Sequence, residues 1–299
     1  MSKSYTPGLK VLKKTKITKQ RQLPMKGTVH VDKGEGVTPD TVVASTEIPG
    51  NVHMVNISNS LNVEPKDIEN YLTLKLDDTI TKGQVIAETN GIFGFFKGQA
   101  FSPVDGTLAN ISDVTGQALI SEKPLPIEID AYTEGTVVNT IPDEGVVIES
   151  EGAIIQGILG IGGEKRGKLK LLANDPSEIV SVDDLNDSHN GLIIVCGAYV
   201  DYTFFKKALD IGVAGIVCGG FDYDNLSKIL GFKLGVAITG SENIPISLII
   251  TEGFGEISMA HRTFDLLKSF EGYHVSINGS TQIRAGVIRP EVIIIHDEA

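Results

Sequence analysis

Residues 26–150 are the part of the chain whose pattern most restricts the fold. Gly, Pro and Asp recur there at short intervals, with β-branched runs between them, and this is typical of an all-β domain. Two stretches share one pattern, since GTLANISDVTGQALISE from Gly106 and GTVVNTIPDEGVVIESE from Gly135 both open on Gly-Thr and close on Ser-Glu. The repetition predicts two similar strand–turn–strand units.

The pattern changes after about residue 172. Apolar runs typical of buried strands alternate with segments of helical spacing; the runs are at 191–197, 213–220, 234–239, 246–251 and 287–295, and the helical segments at 201–212, 222–231 and 257–272. Strands that alternate with helices predict a mostly parallel sheet with helices on its faces. The sequence therefore predicts an α+β chain of two domains, all-β at 26–172 and α/β at 191–299, joined by a polar linker at 173–190.

The charge is spread unevenly along the chain. Residues 1–26 hold eight Lys or Arg and no acid, whereas the whole chain has a net charge of −12. The remainder therefore carries 18 basic and 38 acidic residues, and such an acidic body does not favour a broad nucleic-acid interface. We interpret residues 1–25 as a basic, solvated and partly mobile arm, which leaves an acidic partner, RNA or the protein's own body as alternatives for residues 1–26.

The sequence favours a cytoplasmic protein. It has no apolar run of the ~18 residues that a membrane span needs and no apolar signal-peptide core. Its two cysteines each follow an apolar run, LIIVC and AGIVC, and this predicts buried thiols in a reducing compartment.

Residues 77–120 resemble the barrel-sandwich hybrid fold of biotinyl and lipoyl domains. The similar segments are LDDTITKGQVIAET and SPVDGTLANISDVTGQALI, separated by a hairpin. The resemblance implies that the N-terminal β domain is such a hybrid barrel. Carrier members of the fold modify a Lys at the hairpin tip, and Lys97 in NGIFGFFKGQAF is the corresponding candidate. Its Phe and Gly neighbours differ from the Met, Ala or Asp of carrier domains, so modification of Lys97 is not expected.

A closer resemblance is to the N-terminal hybrid domain of RnfC- and NqrA-type subunits of ion-pumping respiratory complexes. QGILGIGGEKRGKLKL at 156–171 is similar to the first half of their Gly-rich segment, while their cysteine-cluster motifs are missing. Over nearly its full length the chain resembles a prokaryotic family of hybrid-barrel proteins, through GAIIQGILGIGGE, ITEGFG and AGVIRPE, whose longer members add a KOW-like barrel. These resemblances imply an architecture, and a flavin or nucleotide as an alternative cofactor.

The Gly-rich segment GILGIGGEKRG is a candidate phosphate-binding loop. Its candidate residues are Gly160, Gly162, Gly163, Lys165 and Arg166. Phosphate loops usually lead into a helix N-terminus, but GKLKLLA indicates a strand. A tight β-turn or bulge cluster is therefore the favoured interpretation.

Ligands of parallel α/β sheets bind at the carboxyl ends of the strands. The candidates at those ends are Gly197, Gly219, Gly220, Thr239, Gly240, Glu252, Gly253 and, on the following helix, Arg262. Glycines there leave room either for a ligand or for close packing, and the sequence leaves both alternatives open.

Residue patterns give no catalytic or metal-binding motif. The six His are scattered without metal-ligand spacing, and no nucleophile elbow occurs. We predict a non-enzymatic binding or scaffold protein, most simply without a cofactor, that binds a protein partner or its own copies. Phe93, Phe95 and Phe96 are candidates for that contact, and the alternative is that they plug the barrel mouth of their own chain. The alternatives are a flavin- or nucleotide-binding subunit of a redox assembly and an RNA- or ribosome-associated factor.

Overall fold

A computed structural model describes residues 8–90, 97–230, 244–282 and 288–297. Within these ranges the chain is mixed α+β, and strands predominate. The strands are β1 Val11–Gln22, β2 Thr28–Val29, β3 Gly36–Val37, β4 Val42–Ile48, β5 Val52–Asn56, β6 Thr79–Ile80, β7 Val85–Glu88, β8 Gln99–Phe101, β9 Gly106–Ser112, β10 Gln117–Ser121, β11 Leu125–Asp130, β12 Gly135–Ile141, β13 Gly145–Gln156, β14 Leu159–Ile161, β15 Glu164–Leu171, β16 Ile193–Val195, β17 Tyr199–Val200, β18 Gly215–Phe221, β19 Ser247–Phe254, β20 His274–Asn278 and β21 Glu291–Ile295. The helices are α1 Ile57–Leu61, α2 Tyr202–Ile211, α3 Tyr223–Leu230 and α4 His261–Ser269, with 3₁₀ turns at Pro65–Tyr71, Val182–Asp184 and Asp187–His189. None of the described helices has the length and apolarity to cross a membrane.

The chain divides into two compact units, each made of non-contiguous segments. Unit 1 comprises residues 1–21, 31–43 and 130–299, and unit 2 comprises residues 22–30 and 44–129. The predicted domains were contiguous. The difference arises at β13, which pairs with β12 through its first half and with the C-terminal strand β21 through its second half.

Unit 1 is built on a twelve-stranded mixed sheet. Its main order is β14-β19-β18-β16-β15-β20-β21-β13-β12-β3, with β1 beside β13 and β17 beside β18. The pairs β16–β18 and β18–β19 are parallel, as predicted for the C-terminal half, and β15, which was assigned to the all-β domain, also pairs in parallel with β16. The pairs β15–β20, β20–β21 and β13–β21 are antiparallel, so the sheet as a whole is mixed rather than mostly parallel.

The helices of unit 1 cover the parallel strands, and α2 shows why they form where they do. Asp201 caps its N-terminus by accepting the Phe204 N–H at 2.7 Å. Gly212 ends it in the left-handed conformation at φ 86°. Between these caps, Phe204, Phe205 and Ala208 are buried in the main core with the strands β16, β18 and β19. Helical spacing and both end signals are readable in the sequence, and this helix is confirmed.

Unit 2 holds three small sheets around a separate core. The sheets are β5-β10-β9-β6, β11-β4-β2 and β7-β8. Its core consists of buried aliphatic side chains, among them Ile57, Ile68, Ile86, Leu108 and Ile120. The repeat seen in the sequence is confirmed, because the stretches from Gly106 and Gly135 form the antiparallel hairpins β9–β10 and β12–β13, each with one register shift.

The basic N-terminal segment is a strand where it is described. Residues 11–22 form β1, which pairs with β13. Its cations bond acids of unit 1: Lys14 lies 3.6 Å from Glu151, and Lys16 lies 2.6 Å from Glu149. Of the alternatives that the sequence left open, contact with the protein's own body is therefore the one observed, because the acidic body supplies partners along the strand.

Asp201→Ala is expected to lower the free energy of unfolding by about 1 kcal/mol, because the first turn of α2 loses an N–H acceptor. Chemical denaturation followed by circular dichroism measures the change. Asp210→Ala removes an exposed carboxylate from the last turn of the same helix and is expected to change stability by less than about 0.5 kcal/mol. Equal losses in both variants would argue against the cap.

Candidate ligand-binding groove

The sheet of unit 1 has a polar face at strands β15, β20 and β21. Alternate residues of a strand point to opposite faces. Leu169, Val275, Ile277, Val292 and Ile294 lie on one face and belong to the main core. The other face carries two rows of paired residues, which are Arg166–Ser276–Ile293 and Glu164–Asn278–Glu291. Charged side chains are thus placed in adjacent rows on one face of the sheet.

A salt-bridge cluster covers this face, and we define it as Lys19, Arg21, Asp40, Asp130, Glu164, Arg166 and Glu291. Arg21 binds Glu164 in bidentate fashion, with Nη1 and Nη2 at 2.6 and 2.8 Å from the two carboxylate oxygens. Its Nε donates to the Asp130 carbonyl at 2.7 Å. Arg166 donates to the Asp130 carboxylate through Nη2 and to Asp40 through Nη1 at 2.5 Å. Two guanidinium groups therefore share Asp130.

Tyr132 lies beneath this cluster and fixes its geometry. It is almost fully buried, has a positive φ of 65°, and packs against Ile17, Ile154 and Ile293. Its N–H donates to the Asp130 carboxylate at 3.0 Å and its carbonyl accepts the Ser276 hydroxyl at 2.6 Å. These bonds tie Asp130 to the sheet below.

The charges above the Tyr132 ring act on its phenol. Lys19 Nζ and Arg21 Cζ lie 5.8 and 5.4 Å from the ring centroid. Burial raises the pKa of the phenol well above its usual value, and the Glu291 and Glu164 carboxylates add to the rise. The hydroxyl is therefore protonated at neutral pH. Its oxygen has no hydrogen-bond partner among the described residues.

Beside the cluster lies a groove of about 650 Å³, which we call the Arg166 groove. Arg166, Lys168 and His274 lie along one wall, and Ile293 and Ile295 form the floor. Lys168 and His274 are exposed and directly opposite each other in the β15–β20 ladder. Pro39, Asp40, Thr133 and Glu134 also line the groove. The volume is that of a small-molecule site.

The arrangement is suited to binding an oxyanion. Arg166 and Lys168 point to the same face two residues apart, a spacing of about 7 Å. A guanidinium group offers planar, directed N–H donors that match carboxylate and phosphate oxygens, while a lysine adds a mobile charge. The Arg166 Nε is buried and without a hydrogen-bond partner among the described residues. An apolar floor beside these donors can accept the non-polar part of the same molecule.

The five predicted phosphate-loop residues do not form one binding loop in the structure. Gly160 lies within β14, and its N–H is bonded to the Thr281 hydroxyl at 2.8 Å. Gly162 takes the left-handed conformation at φ 80°, whereas a Cβ on Gly163 would have no described atom beyond its chain neighbours within 4 Å. Lys165 pairs with Ile277 and points away from the face that carries Arg166. Of the five candidates, only Arg166 lines the groove.

Three of the glycines predicted as ligand-binding candidates at the strand ends lie where two main-chain segments touch. A Cβ on Gly197 would lie 2.3 Å from the Glu178 carbonyl, and one on Gly219 would lie 2.1 Å from the Ile257 carbonyl. Gly220 would meet the Gly255 carbonyl at 1.9 Å. Of the two alternatives left open by the sequence, close packing is the one observed at these three glycines.

The remaining strand-end candidates have structural partners or lie elsewhere. Glu252 accepts the Ala260 N–H at 2.9 Å, just before α4. Gly253 has φ 157° and lies near Ile257. Arg262 donates to the Val11 carbonyl at 2.8 Å. Thr239 and Gly240 lie outside the described residues, as do Phe93, Phe95 and Phe96.

The described part of the chain gives little support to the other candidate sites, which are a modified lysine, a metal site and a reactive thiol. Lys97 is exposed just before β8, and the expectation that it is unmodified stays a prediction from the sequence. Within the described ranges no group of three or more His, Cys, Asp or Glu could hold a metal ion. Cys196 and Cys218 are both fully buried.

Sequence reasoning missed most of the groove. The groove residues Asp40, Lys168 and His274, and the supporting residues Asp130 and Tyr132, come from four separate parts of the chain, and none has a local motif. One usable signal was present in β15, where Glu164, Arg166, Lys168 and Lys170 alternate along one face of a strand. Charge at every second position of a strand marks one polar face.

Gly220→Ala is expected to destabilise unit 1 by about 1–3 kcal/mol or more, because the added methyl group would meet a backbone carbonyl. Gly163→Ala is the matched control, since no atom of the described residues other than its chain neighbours lies within 4 Å of its Cβ position. Thermal or chemical denaturation compares the two. A Gly220→Ala protein as stable as the control would mean that the strand end has free space.

Neither thiol is expected to react in the folded protein. Burial raises the pKa of both Cys196 and Cys218, so both remain protonated and shielded at neutral pH. Iodoacetamide followed by mass measurement should show no adduct under native conditions and two adducts in concentrated guanidinium chloride. Alkylation of the native protein would contradict the burial of these strands.

Comparisons of the chain with protein-family models, with curated proteins and with solved structures find no match. The resemblances to barrel-sandwich hybrid proteins and to RnfC- and NqrA-type subunits therefore stay predictions from the sequence. The groove is characterised by its own residues, which form a wall of three basic side chains over an apolar floor.

Proposed function

We propose that this chain is a non-catalytic binding protein that holds a small molecule with a phosphate or carboxylate group in the Arg166 groove. The observation that carries the proposal is the wall formed by Arg166, Lys168 and His274 above Ile293 and Ile295. Basic donors fix the anionic group and the apolar floor takes the rest of the ligand.

The rigid support of Arg166 favours binding. Its guanidinium group is oriented by Asp130, which Arg21 and the Tyr132 N–H also hold. A donor that is already oriented loses little conformational freedom when a ligand arrives. Preorganised donors of this kind are typical of ligand sites rather than of ordinary surface charges.

Two alternative functions predicted from the sequence remain proposals, and these are nucleotide or flavin binding and association with RNA. A nucleotide or flavin phosphate belongs to the proposed ligand class, although the N–H of Gly160 is engaged by Thr281. An RNA-associated role has less support, because Lys14, Lys16, Lys19 and Arg21 already bond acids of the same unit. We retain the hybrid-barrel assignment for the β9–β10 region of unit 2, on the quoted sequence motifs.

Self-association and a cytoplasmic location also remain proposals. Val52 and Met54 are exposed on β5, which lies at the edge of its sheet in unit 2. Exposed apolar side chains on an edge strand favour association with another chain. The two buried, unpaired thiols favour a reducing compartment.

Titration calorimetry with inorganic phosphate, acetate, AMP and adenosine tests the groove. AMP and phosphate are expected to bind, and adenosine is expected to bind at least tenfold more weakly than AMP because it lacks the oxyanion. Arg166→Gln should weaken AMP binding by about 10–100-fold, the value of one or two charge-assisted hydrogen bonds. Binding of acetate without phosphate or AMP would instead assign the groove to carboxylates.

Lys168→Gln and Lys170→Gln form a matched pair on the same strand. Lys168 lines the groove, whereas the Lys170 ammonium bonds Glu271 at 2.8 Å and does not line it. Lys168→Gln should weaken AMP binding about threefold to fivefold, and Lys170→Gln should leave it within twofold. Because Lys168 is exposed, its loss should not disturb folding. Equal effects in the two variants, or no binding of any of the four probes, would overturn the proposed function.

A further inference from the structure

The two carboxylates bound to Arg166 differ in how firmly they are held. Asp130 is about one-third exposed, at 34%, and Arg21 and the Tyr132 N–H also bond it. Asp40 is 84% exposed and bonds the Nη1 of Arg166 at 2.5 Å. An exposed ion pair contributes little net stability because water solvates both groups when they part. Asp40 can therefore leave Arg166 at small cost, while Asp130 stays.

The backbone around Asp40 is held independently of its side chain. The Thr41 N–H donates to the Thr38 carbonyl at 3.0 Å, which closes the turn that presents Asp40. On either side of Asp40, the Pro39 carbonyl accepts the Tyr132 N–H at 3.1 Å and the Thr41 carbonyl accepts the Ala131 N–H at 2.9 Å. Release of the carboxylate from Arg166 consequently requires only a side-chain rotation and leaves the turn intact.

The Asp40 carboxylate is itself an oxyanion bound to Arg166 at the wall of the groove. From this placement we propose that Asp40 is a built-in competitor: it occupies the Nη1 donor of Arg166 in the ligand-free protein, and a bound phosphate or carboxylate takes its place. This inference rests on the proposed function and adds a residue that sets the affinity of the groove. Binding then replaces the hydrogen bond between Arg166 and Asp40 with one between Arg166 and the ligand. This donor therefore contributes to the free energy of binding only the difference between the two hydrogen bonds.

Removal of the competitor should strengthen binding. Asp40→Asn keeps the size of the side chain but ends its ion pair with Arg166, and AMP and inorganic phosphate are expected to bind about fivefold tighter. Glu271→Gln is the matched control, because it removes a carboxylate from the ion pair of Lys170 on the same strand, outside the groove. This control is expected to change affinity less than twofold.

A double-mutant cycle shows whether the gain acts through Arg166. In the Arg166→Gln background, Asp40→Asn should no longer strengthen phosphate binding, since the donor for which the two anions compete is gone. The ¹⁵Nε resonance of Arg166 gives a second readout. It should shift on Asp40→Asn without ligand and shift again when phosphate is added.

The outcomes separate this inference from the proposed function. If the wild-type protein binds phosphate or AMP and Asp40→Asn binds equally or more weakly, Asp40 is not a competitor, although the groove is a ligand site. If neither protein binds any probe, both proposals are wrong. Binding by Asp40→Asn alone would overturn both proposals, because no ligand would then take the place of Asp40 in the wild-type chain.

Discussion

Asp130 is shared by two arginines, and this interaction holds the polar face of unit 1 together. Arg21 comes from β1, Arg166 from β15, and Asp130 from the end of β11, so one carboxylate connects three distant parts of the chain. Tyr132 holds this carboxylate from below through its N–H. Partly buried charges lose hydration, and that cost is recovered only where several oriented hydrogen bonds replace the water. Asp130 meets this condition, because its carbonyl and both carboxylate oxygens accept hydrogen bonds.

The uneven charge of the sequence follows from this arrangement. The N-terminal segment is basic because β1 lies against the acidic part of unit 1, where Glu149, Glu151, Glu164 and Glu291 pair with its Lys and Arg side chains. Basic and acidic residues that are far apart in the sequence thus lie side by side in the fold. Most of these pairs are partly exposed, so they specify where β1 lies more than they add stability.

Elements that neighbouring residues specify could be predicted from the sequence, whereas contacts between residues far apart in the chain could not. Helix α2 was predictable, since Asp201, the apolar spacing and Gly212 lie within a dozen residues. The hairpins from Gly106 and Gly135 were also predictable from their repeat. The groove was not, because Asp40 and Arg166 are brought together only by the order of strands in a mixed sheet. Only Arg166 was named from the sequence, and for a loop that the fold does not form.

The glycines explain why the groove lies on a strand face and not at the strand ends. At Gly160, Gly220 and Gly279 a Cβ would lie within 3 Å of a backbone carbonyl, so these positions let two segments of main chain touch. A backbone contact of this kind fills the space in which a ligand would sit and satisfies the N–H groups that would bind it, as Thr281 does for Gly160. Capacity for a ligand then remains where long side chains hold neighbouring segments apart. One such place in unit 1 is the row of Arg166 and Lys168, where the Arg166 guanidinium group reaches the Asp40 carboxylate.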